Sequence, residues 1–577
     1  MSKWILYIGM LLMVYASFIY YPKWKMAGTE ATISWDVSGY YLYLPALFIY
    51  RDIKELKWKP AIDAKYYPSS SPYQAYQHRS GNQVLKYTAG LAILYSPFFL
   101  IAHSIAIPLG YEADGYSRVY QFFISLGSIV WAFAGLWYFR KWILKFFDEW
   151  STSLILVIIV FATNYFDYAS ITGAMSHNYL FTLYAILLYS IDNFYSSNKN
   201  HWFYLSCFVT GLMVLIRPTE IISILLLIGW QTDNIKSLTS RIHHLLSSQK
   251  RLLIGCLCFL FFPLVQSVYW KYVAGEWIVY SYQEFGFSWL EGHHILQGLF
   301  SYRAGWLVYT PVMILSLAGM FYALRKTDQN KRLNLLFILL SLYLTFAWDE
   351  WTYGGSLSQR ALVQHYPIMA FPMAVLIKDI ISQPRLKYIL YFFIGICAFY
   401  NLWLTHQAHR GGIYAAGMMN KTYFWHTLFK MDNNPEYQKL LDTNEPYMTL
   451  SESESIVAAD RDFNADSTCT SNSGHIVLYD GVVNPGKIGI HALVRSGLKE
   501  WDIWQMAQLV VKYKLDQQDV KTTILRLHRF LNDNDEKWID LVTISPDRPF
   551  NKLEITIWNP GSKPVCAKAL QLYAAKF

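Results

Sequence analysis

The sequence has few charged residues for its length. Asp, Glu, Lys and Arg make up 15% of the 577 residues, whereas hydrophobic residues make up 54%. Soluble domains typically contain about 25% charged and about 45–50% apolar residues. The shortage of charge excludes a soluble enzyme, because so apolar a chain must bury much of its surface in lipid. We therefore predict an integral membrane protein whose fold is mainly α-helical.

Other features are absent or scarce. The chain has no Gly-rich nucleotide fingerprint and no internal repeat of consequence, which argues against a nucleotide site of that type. Much of the formal net charge of +9 lies in short loops between apolar runs, where cations orient membrane helices, so no nucleic-acid partner is expected. Two of the six cysteines, Cys469 and Cys566, lie in the C-terminal tail, where a disulfide is left open. The other four lie in apolar stretches and are predicted to be core residues: Cys207, Cys256, Cys258 and Cys397.

Long apolar runs recur from the N-terminus to about residue 404. The first, residues 4–21, is not followed by a small-residue cleavage site, so it is predicted to be a membrane helix rather than a signal peptide. A bilayer core of about 30 Å needs about 20 apolar residues per helix. On this basis the sequence predicts about eleven spans, the later ones at 117–139, 152–167, 177–192, 202–217, 219–231, 252–272, 304–324, 333–348, 361–377 and 386–404.

The distribution of Lys and Arg over the loops predicts the orientation of the helices. Basic residues cluster in alternate loops, which places 22–116, 273–303, 349–360 and the tail outside a bacterial-type inner (plasma) membrane. The first outer loop is also basic, but loops longer than about 60 residues largely escape the charge rule. The apolar run 87–109 is expected to be a juxtamembrane helix on the outer leaflet, because counting it as a span would invert every later loop.

The tail changes character after about residue 445. Segments 475–479, 552–558 and 570–573 alternate apolar and polar residues between turn signals, as strands do. We predict a transmembrane domain at 1–405, a connecting segment at 406–444 and an extracytoplasmic β-rich, sandwich-like soluble domain at 445–577. Helical or irregular insertions are expected around 499–535.

Two outer-loop residues are the strongest candidates for chemistry. Asp36 lies about 15 residues beyond the first helix, where a carboxylate either has a functional role or caps a helix. Arg360 begins an apolar run, where its guanidinium could bind a phosphate or extend toward lipid head groups. The preceding Gly354 and Gly355 would let the backbone approach a ligand closely.

Weaker candidates lie on the same predicted side. His177 stands at the start of a predicted helix, and Arg217 with Glu220 form either a structural pair or the lining of a polar cavity. Glu284 and Arg303 flank an aromatic loop whose His293-His294 pair is not a closed set of metal ligands. Asp349 and Glu350 could bind a cation or simply solvate their loop.

Together these stretches resemble the glycosyltransferase C superfamily, the multi-pass enzymes that use polyprenyl-phosphate sugars, including mannosyltransferase-like and aminoarabinose transferase-like members. The resemblance covers about residues 1–405. The matching elements are Asp36-Val-Ser-Gly-Tyr-Tyr41, Lys86-Tyr-Thr-Ala-Gly90, Gly211-Leu-Met-Val-Leu-Ile-Arg-Pro-Thr219 and Trp351-Thr-Tyr-Gly-Gly-Ser-Leu-Ser-Gln-Arg360. The chain departs from the family pattern at Thr88 and Ala89, where many members carry prolines, and in having one acidic residue in the first loop instead of a pair.

The resemblance implies glycosylation chemistry in the cell envelope. Asp36 would be the general base on the acceptor hydroxyl or an organiser of the site, while Arg360, Lys86 and Arg303 would hold the lipid phosphate. The remaining candidate substrate-binding residues are Tyr40, His177, Glu284, Trp351, Gly354, Gly355 and His365. No residue is assigned to a metal, and a divalent cation is left open as a cofactor.

The expected function is therefore inverting transfer of a sugar from a polyprenyl-phosphate-linked donor to a glycan, lipid or protein acceptor at the bilayer surface. The alternative is a transporter or flippase of a lipid-linked saccharide, which would bind near the bilayer midplane between matching halves. A non-catalytic scaffold is a third alternative, but it leaves the acidic and arginine loops unexplained.

Overall fold

The computed structural model describes the chain except for residues 233, 284, 290–292, 327–329, 443–454, 463–468, 471–473, 501 and 576–577. It divides into two compact units, Met1–Arg410 and Gly411–Phe577. The first unit is helical apart from one small hairpin, and the second is rich in strands. The predicted combination of a mainly helical part with a C-terminal β-rich part is confirmed.

The first unit consists of many helices of unequal length. Its α-helices are Ser2–Tyr15, Trp35–Tyr41, Tyr43–Phe48, Lys59–Tyr66, Gly90–Ala106, Arg118–Ile143, Glu149–Phe161, Tyr165–Ala169, Ser176–Ser197, Asn200–Ile216, Ile224–Gly229, Ile235–Leu246, Gln249–Ala274, Ile295–Phe300, Trp306–Tyr309, Ile314–Lys326, Lys331–Ala347, Tyr366–Ile381 and Leu386–His406. Three short 3-10 helices matter for the site or for the span count: Pro218–Ser223, Pro311–Met313 and Arg360–His365.

Five helices of the described residues are long and apolar enough to cross a membrane. They are Ser2–Lys25, Arg118–Ile143, Gln249–Ala274, Arg360–Ile381 and Leu386–Gly411. Gln249–Ala274 also presents apolar side chains outward, since more than half of the side-chain surface of Leu253, Leu257, Leu264 and Val268 is exposed. A large exposed apolar surface of this kind fits contact with lipid, so these helices indicate a membrane protein.

The predicted count of about eleven spans is not supported. The runs at 152–167, 202–217 and 333–348 form α-helices of 13, 17 and 17 residues, which at 1.5 Å per residue are about 20–26 Å long and shorter than the bilayer core. The run at 219–231 forms the 3-10 helix Pro218–Ser223 and the six-residue α-helix Ile224–Gly229, and the run at 304–324 is broken at Pro311, which begins a 3-10 helix. The helix at 177–192, Ser176–Ser197, is long enough but is not among the five.

The run predicted as a juxtamembrane helix forms the α-helix Gly90–Ala106, which packs mainly against Arg118–Ile143. Its first residue is a point of close backbone approach. A Cβ atom on Gly90 would lie 2.7 Å from the backbone nitrogen of Ile216, so only glycine fits at this position. The close approach joins the loop before this helix to the end of helix Asn200–Ile216, where the Thr88 hydroxyl donates to the Ile216 carbonyl at 3.2 Å. The position of the helix relative to a bilayer stays a prediction.

Strands are designated in chain order: β1 Ala75–Gln77, β2 Gln83–Leu85, β3 Ser455–Asp462, β4 Cys469–Thr470, β5 Gly474–Gly481, β6 Lys487–Ser496, β7 Gln508–Leu515, β8 Gln518–Arg526, β9 Glu536–Ile544, β10 Lys552–Asn559 and β11 Val565–Ala575. The short hairpin β1–β2 belongs to the first unit. The second unit contains a sheet of order β5-β10-β7-β8 and a sheet of order β3-β11-β6-β9, with β4 beside β11.

The two sheets of the second unit share one hydrophobic core. Residues of both sheets are completely buried in it, among them Leu478, Leu509 and Ile555 from one sheet and Ile490, Leu570 and Leu572 from the other. The predicted sandwich is therefore the observed architecture. The helical or irregular insertions expected around 499–535 are wrong at 508–526, because β7 and β8 form an antiparallel pair there, with one register shift between Tyr513 and Lys514. The apolar residues Leu509, Val510 and Val511 are consecutive, which hides the alternation typical of a strand.

One disulfide and the ion pairs of one buried carboxylate stabilise the second unit. A disulfide joins Cys469 on β4 to Cys566 on β11, which settles the pairing that the sequence left open. The carboxylate of Asp442 is fully buried and forms ion pairs with Arg526 and Arg529, whose side chains are 5% exposed. Asp442 therefore fixes the chain before the sandwich to the end of β8 and the turn that follows it.

Candidate functional site

The structure brings Asp36 and Arg360 into direct contact. Oδ2 of Asp36 accepts a hydrogen bond from Nη2 of Arg360 at 2.7 Å, and Oδ1 accepts from the hydroxyls of Tyr73 at 2.8 Å and Tyr87 at 2.7 Å. About a fifth of each charged side chain is exposed. The Asp36 side chain does not cap the helix in which it lies, and Arg360 is turned to this carboxylate. The alternatives of a helix cap and of a lipid-directed arginine are therefore not what the structure shows.

The partners of Asp36 determine its ionisation. Burial raises the pKa of this carboxyl, but the charge of Arg360 and the two tyrosine hydrogen bonds outweigh burial and hold the pKa below its ordinary value. Burial and the nearby carboxylate raise the pKa values of Tyr73 and Tyr87, so both hydroxyls stay protonated and donate. While Arg360 is bound to it, Asp36 is a stable anion and a weak base.

Lys86 lies beside this pair in an aromatic cage. Its Nζ atom lies over four rings, with distances to the ring centroids of 5.1 Å for Tyr73, 5.2 Å for Phe285, 5.5 Å for Tyr282 and 6.0 Å for Tyr87. Burial lowers the pKa of the Lys86 ammonium, and the charge of Asp36 raises it in part. Ring faces attract a cation without neutralising its charge. The ammonium therefore adds positive potential to the pocket.

Arg217 is a further cation of the same region. Its guanidinium lies 5.5 Å from the ring centroid of Tyr353, and Nη1 donates a long hydrogen bond of 3.4 Å to Oε1 of Gln364. Nε2 of Gln364 donates at 2.5 Å to Glu220, so the amide stands between Arg217 and the acid. The direct Arg217–Glu220 pair that the sequence left open does not form among the described residues.

Tyr40 lies within electrostatic range of three of these charges, Arg217, Asp36 and Arg360. Burial raises the pKa of its hydroxyl most strongly, and then Arg217 lowers it, Asp36 raises it and Arg360 lowers it. Its ring also lies 4.4 Å from that of Tyr87. Tyr353 responds in the same way to burial, Arg217 and Arg360. We call the group of neighbouring side chains formed by Asp36, Tyr73, Lys86, Tyr87, Arg217, Tyr353 and Arg360, with Tyr40 beside them, the charged pocket.

His177 and His365 do not line the charged pocket as open ligand groups. Each is 3% exposed. His177 Nδ1 lies 3.1 Å from Oε1 of Gln364, and His365 Nε2 lies 3.3 Å from Oε2 of Glu220, which also accepts from Tyr184 at 2.6 Å. The two histidines therefore belong to a buried polar network that holds the 3-10 helix Arg360–His365.

The loop before this helix leaves open space. Gly354 has a φ of +67°, and a Cβ atom there would meet no heavy atom within 4 Å, while Gly355 is exposed. Trp351 stacks on His294 at 5.8 Å between centroids. Asp349 accepts from the Gly286 amide and the Ser288 hydroxyl at 2.7 Å each, so it braces the loop.

Two predicted site residues remain, Arg303 and Glu284. Arg303 is exposed and makes no contact with Asp36 or Arg360. Glu284 lies outside the described residues. Among the residues that the structure describes, no cluster of three or more His, Cys, Asp or Glu side chains could hold a metal ion.

Sequence reasoning missed the tyrosines that bind Asp36 and gave Arg217 no catalytic or binding role. The chain contains 45 tyrosines, so no pattern singles out Tyr73. Arg217 did have a signal, because an arginine at the end of an apolar helix is costly unless it has a partner or a function.

Comparison with known proteins adds no identification. The sequence matches no protein-family model, and no curated protein matches it significantly. The likeness to the glycosyltransferase C superfamily therefore rests on the short sequence elements alone.

Proposed function

We propose that the protein is an inverting membrane glycosyltransferase that moves a sugar from a polyprenyl-phosphate-linked donor to a glycan, lipid or protein acceptor on the extracytoplasmic face. The observation that carries the proposal is the Asp36–Arg360 ion pair in a partly exposed, tyrosine-rich pocket. Residues that are 324 positions apart in the chain supply a candidate base and a candidate phosphate ligand at one place.

In the proposed reaction the acceptor hydroxyl attacks the anomeric carbon of the donor and gives its proton to Asp36. The bond between the anomeric carbon and the phosphate oxygen breaks, and the polyprenyl phosphate leaves with the electron pair. Arg360 and Lys86 stabilise the charge that develops on the leaving phosphate, which is usually the largest catalytic contribution. Direct displacement inverts the configuration of the sugar.

Arg360 couples binding of the donor to activation of the base. Its Nη2 is bound to Asp36, whereas its Nε is buried without a hydrogen-bond partner in the described structure. A buried donor without a partner costs about 1–3 kcal/mol, so an incoming phosphate oxygen would be bound favourably. When Arg360 turns toward the phosphate, Asp36 loses its strongest cationic partner and its basicity rises.

The rest of the chain supports the same assignment. The rings around Lys86 offer flat faces of the kind that pack against sugars. The Cys469–Cys566 disulfide favours an oxidising compartment for the second unit, which agrees with an extracytoplasmic tail on an inner (plasma) membrane protein. The second unit would then bind the acceptor.

Replacing Asp36 by Asn tests the proposal. Asp36→Asn keeps the shape of the side chain and removes the base, so transfer from a polyprenyl-phosphate sugar by purified, lipid-reconstituted protein is expected to fall at least 100-fold. Asp63→Asn is the matched control, because Asp63 pairs with Lys59 outside the charged pocket. Full transfer by Asp36→Asn would refute the assigned role. Movement of the labelled lipid across vesicles without a transfer product would favour a flippase.

A further inference from the structure

Arg217 is the cation of the charged pocket that the proposed function leaves without a role. It lies at the C-terminal end of helix Asn200–Ile216 and is about half buried. No carboxylate of the described residues lies within ion-pair distance of it, and its hydrogen bond to the uncharged Gln364 amide is long at 3.4 Å. Withdrawing a guanidinium from water without an anionic partner is unfavourable. A ligand that supplies the missing negative charge would remove this cost.

The nearest acid is not available to Arg217. Glu220 is 1% exposed, and its two carboxylate oxygens already accept from Tyr184 and Gln364 and contact His365. The Gln364 amide stands between the acid and the guanidinium, and the Tyr353 side chain is a second uncharged partner of Arg217, so neither of these partners neutralises its positive charge. An arginine has five N–H donors arranged as a planar fork, which matches two oxygens of a phosphate.

The surroundings of Arg217 keep the guanidinium in place for a ligand. The Tyr353 ring lies against it, and the Tyr353 hydroxyl donates at 3.0 Å to the Thr345 carbonyl. Tyr353 adopts a φ of +54°, a left-handed conformation that costs a bulky residue free energy. The next residue, Gly354, borders open space. A ligand can therefore approach from the side that the loop leaves unfilled.

We propose that Arg217 is an anion-binding residue of the charged pocket and that its ligand is the phosphate group of a prenyl phosphate, held between Arg217 and Arg360. Three cations, Lys86, Arg217 and Arg360, line the pocket, and Asp36 is the one carboxylate among its lining residues. This surplus of two positive charges complements a phosphate monoester dianion better than a singly charged sugar phosphodiester. The pocket is thus suited to the leaving group. This inference rests on the proposed function for the identity of the lipid chain.

The test measures binding without any transfer reaction. Full-length protein in detergent is titrated calorimetrically with farnesyl phosphate, with farnesol as the uncharged match and with inorganic phosphate as the match without a chain. Arg217→Gln is expected to weaken the binding of farnesyl phosphate about tenfold, which corresponds to about 1.4 kcal/mol. Binding of farnesol should not change. Arg217→Lys keeps the charge but not the planar fork, so its loss should be smaller.

Control variants separate the outcomes. Arg118→Gln removes an exposed arginine outside the pocket and should bind as the unmodified protein does. Asp36→Asn should bind farnesyl phosphate at least as tightly, because Arg360 is released. The outcome counts only if unliganded Arg217→Gln melts at the same temperature as the unmodified protein. Unchanged affinity of this variant for farnesyl phosphate, or an equal loss of affinity for farnesol, would then overturn the proposal. If Arg217→Gln misfolds, the test rests on Arg217→Lys. If Arg217→Lys binds inorganic phosphate and farnesyl phosphate as tightly as the unmodified protein does, with the same salt dependence, charge alone is sufficient and recognition of the phosphate by the planar guanidinium is refuted.

The same measurements distinguish this inference from the proposed function. If inorganic phosphate binds with the same dependence on Arg217 and as tightly as farnesyl phosphate, a free phosphate is the occupant and the anion site stands. If Arg217→Gln loses phosphate binding while Asp36→Asn transfers sugar normally, the anion site stands and the assigned chemistry falls.

Discussion

The ionisation of Asp36 predicts how the proposed activity depends on pH. Asp36 must be ionised to accept a proton, and its pKa is held low by Arg360 and the two tyrosines. Activity should therefore persist at low pH and fall only as the pH drops through that lowered pKa. Removing one donor, as in Tyr73→Phe or Tyr87→Phe, raises the pKa and should move the acidic limb of the profile to higher pH.

The size of the shift follows from the hydrogen bonds removed. A hydrogen bond to a charged group contributes about 1.5–3 kcal/mol, and about 1.36 kcal/mol corresponds to one pKa unit. Because a fifth of the Asp36 side chain is exposed, water can replace part of the lost bond. We expect a shift of about one pH unit for each single variant and about two for the double variant.

The assay is the pH profile of kcat/KM for sugar transfer, which reports the free enzyme and hence the paired state of Asp36. Tyr76→Phe is the matched control, because Tyr76 lies in β1 of the same loop and does not bond to Asp36. An acidic limb that stays at the same pH in both single variants would show that Asp36 is not the titrating group.

Three further predictions concern stability. Cys566→Ser should lower the free energy of unfolding of the second unit by about 2–5 kcal/mol, seen as a lower melting temperature that no longer responds to reductant. Asp442→Ala should cost about 3–5 kcal/mol, because it leaves two buried guanidinium groups without their carboxylate; denaturant unfolding would detect it, and a loss below 1 kcal/mol would contradict the burial of the pair. Gly90→Val should disrupt the contact with Ile216 and reduce the yield of monodisperse protein, whereas Gly395→Val, where a Cβ atom meets nothing within 4 Å, should be tolerated.

Composition and periodicity predicted the broad architecture because they report burial directly. The apolar excess indicated membrane helices, and the alternating segments identified β5, β10 and β11. The number of spans was overestimated for a physical reason. A window of apolar residues looks the same whether it forms one long helix or two short pieces, and counting apolar residues gave no weight to Pro218 and Pro311, which each begin a short 3-10 helix.

The candidate site could be predicted only in part for a similar reason. Loop charges placed Asp36 and Arg360 on one predicted side, but their contact needs tertiary structure to bring together residues far apart in the chain. Lys86 was predicted to bind phosphate, yet its aromatic cage comes from segments around 73 and 282–285 that no local pattern connects. The role of Gln364 is equally hidden, since a single amide in an apolar run carries no periodic signal.

The short helix Arg360–His365 explains how one segment can serve both the charged pocket and the buried network. A 3-10 helix has three residues per turn, so positions 360, 364 and 365 point in three directions about 120° apart. Arg360 binds Asp36, Gln364 bridges Arg217 to Glu220, and His365 contacts Glu220 from its own side. An α-helix at this place would turn by about 100° per residue, which would bring positions 360 and 364 onto one face. The 3-10 geometry therefore keeps the guanidinium in the pocket while the amide and imidazole stay buried, and it ties the position of Arg360 to the network that also holds Arg217.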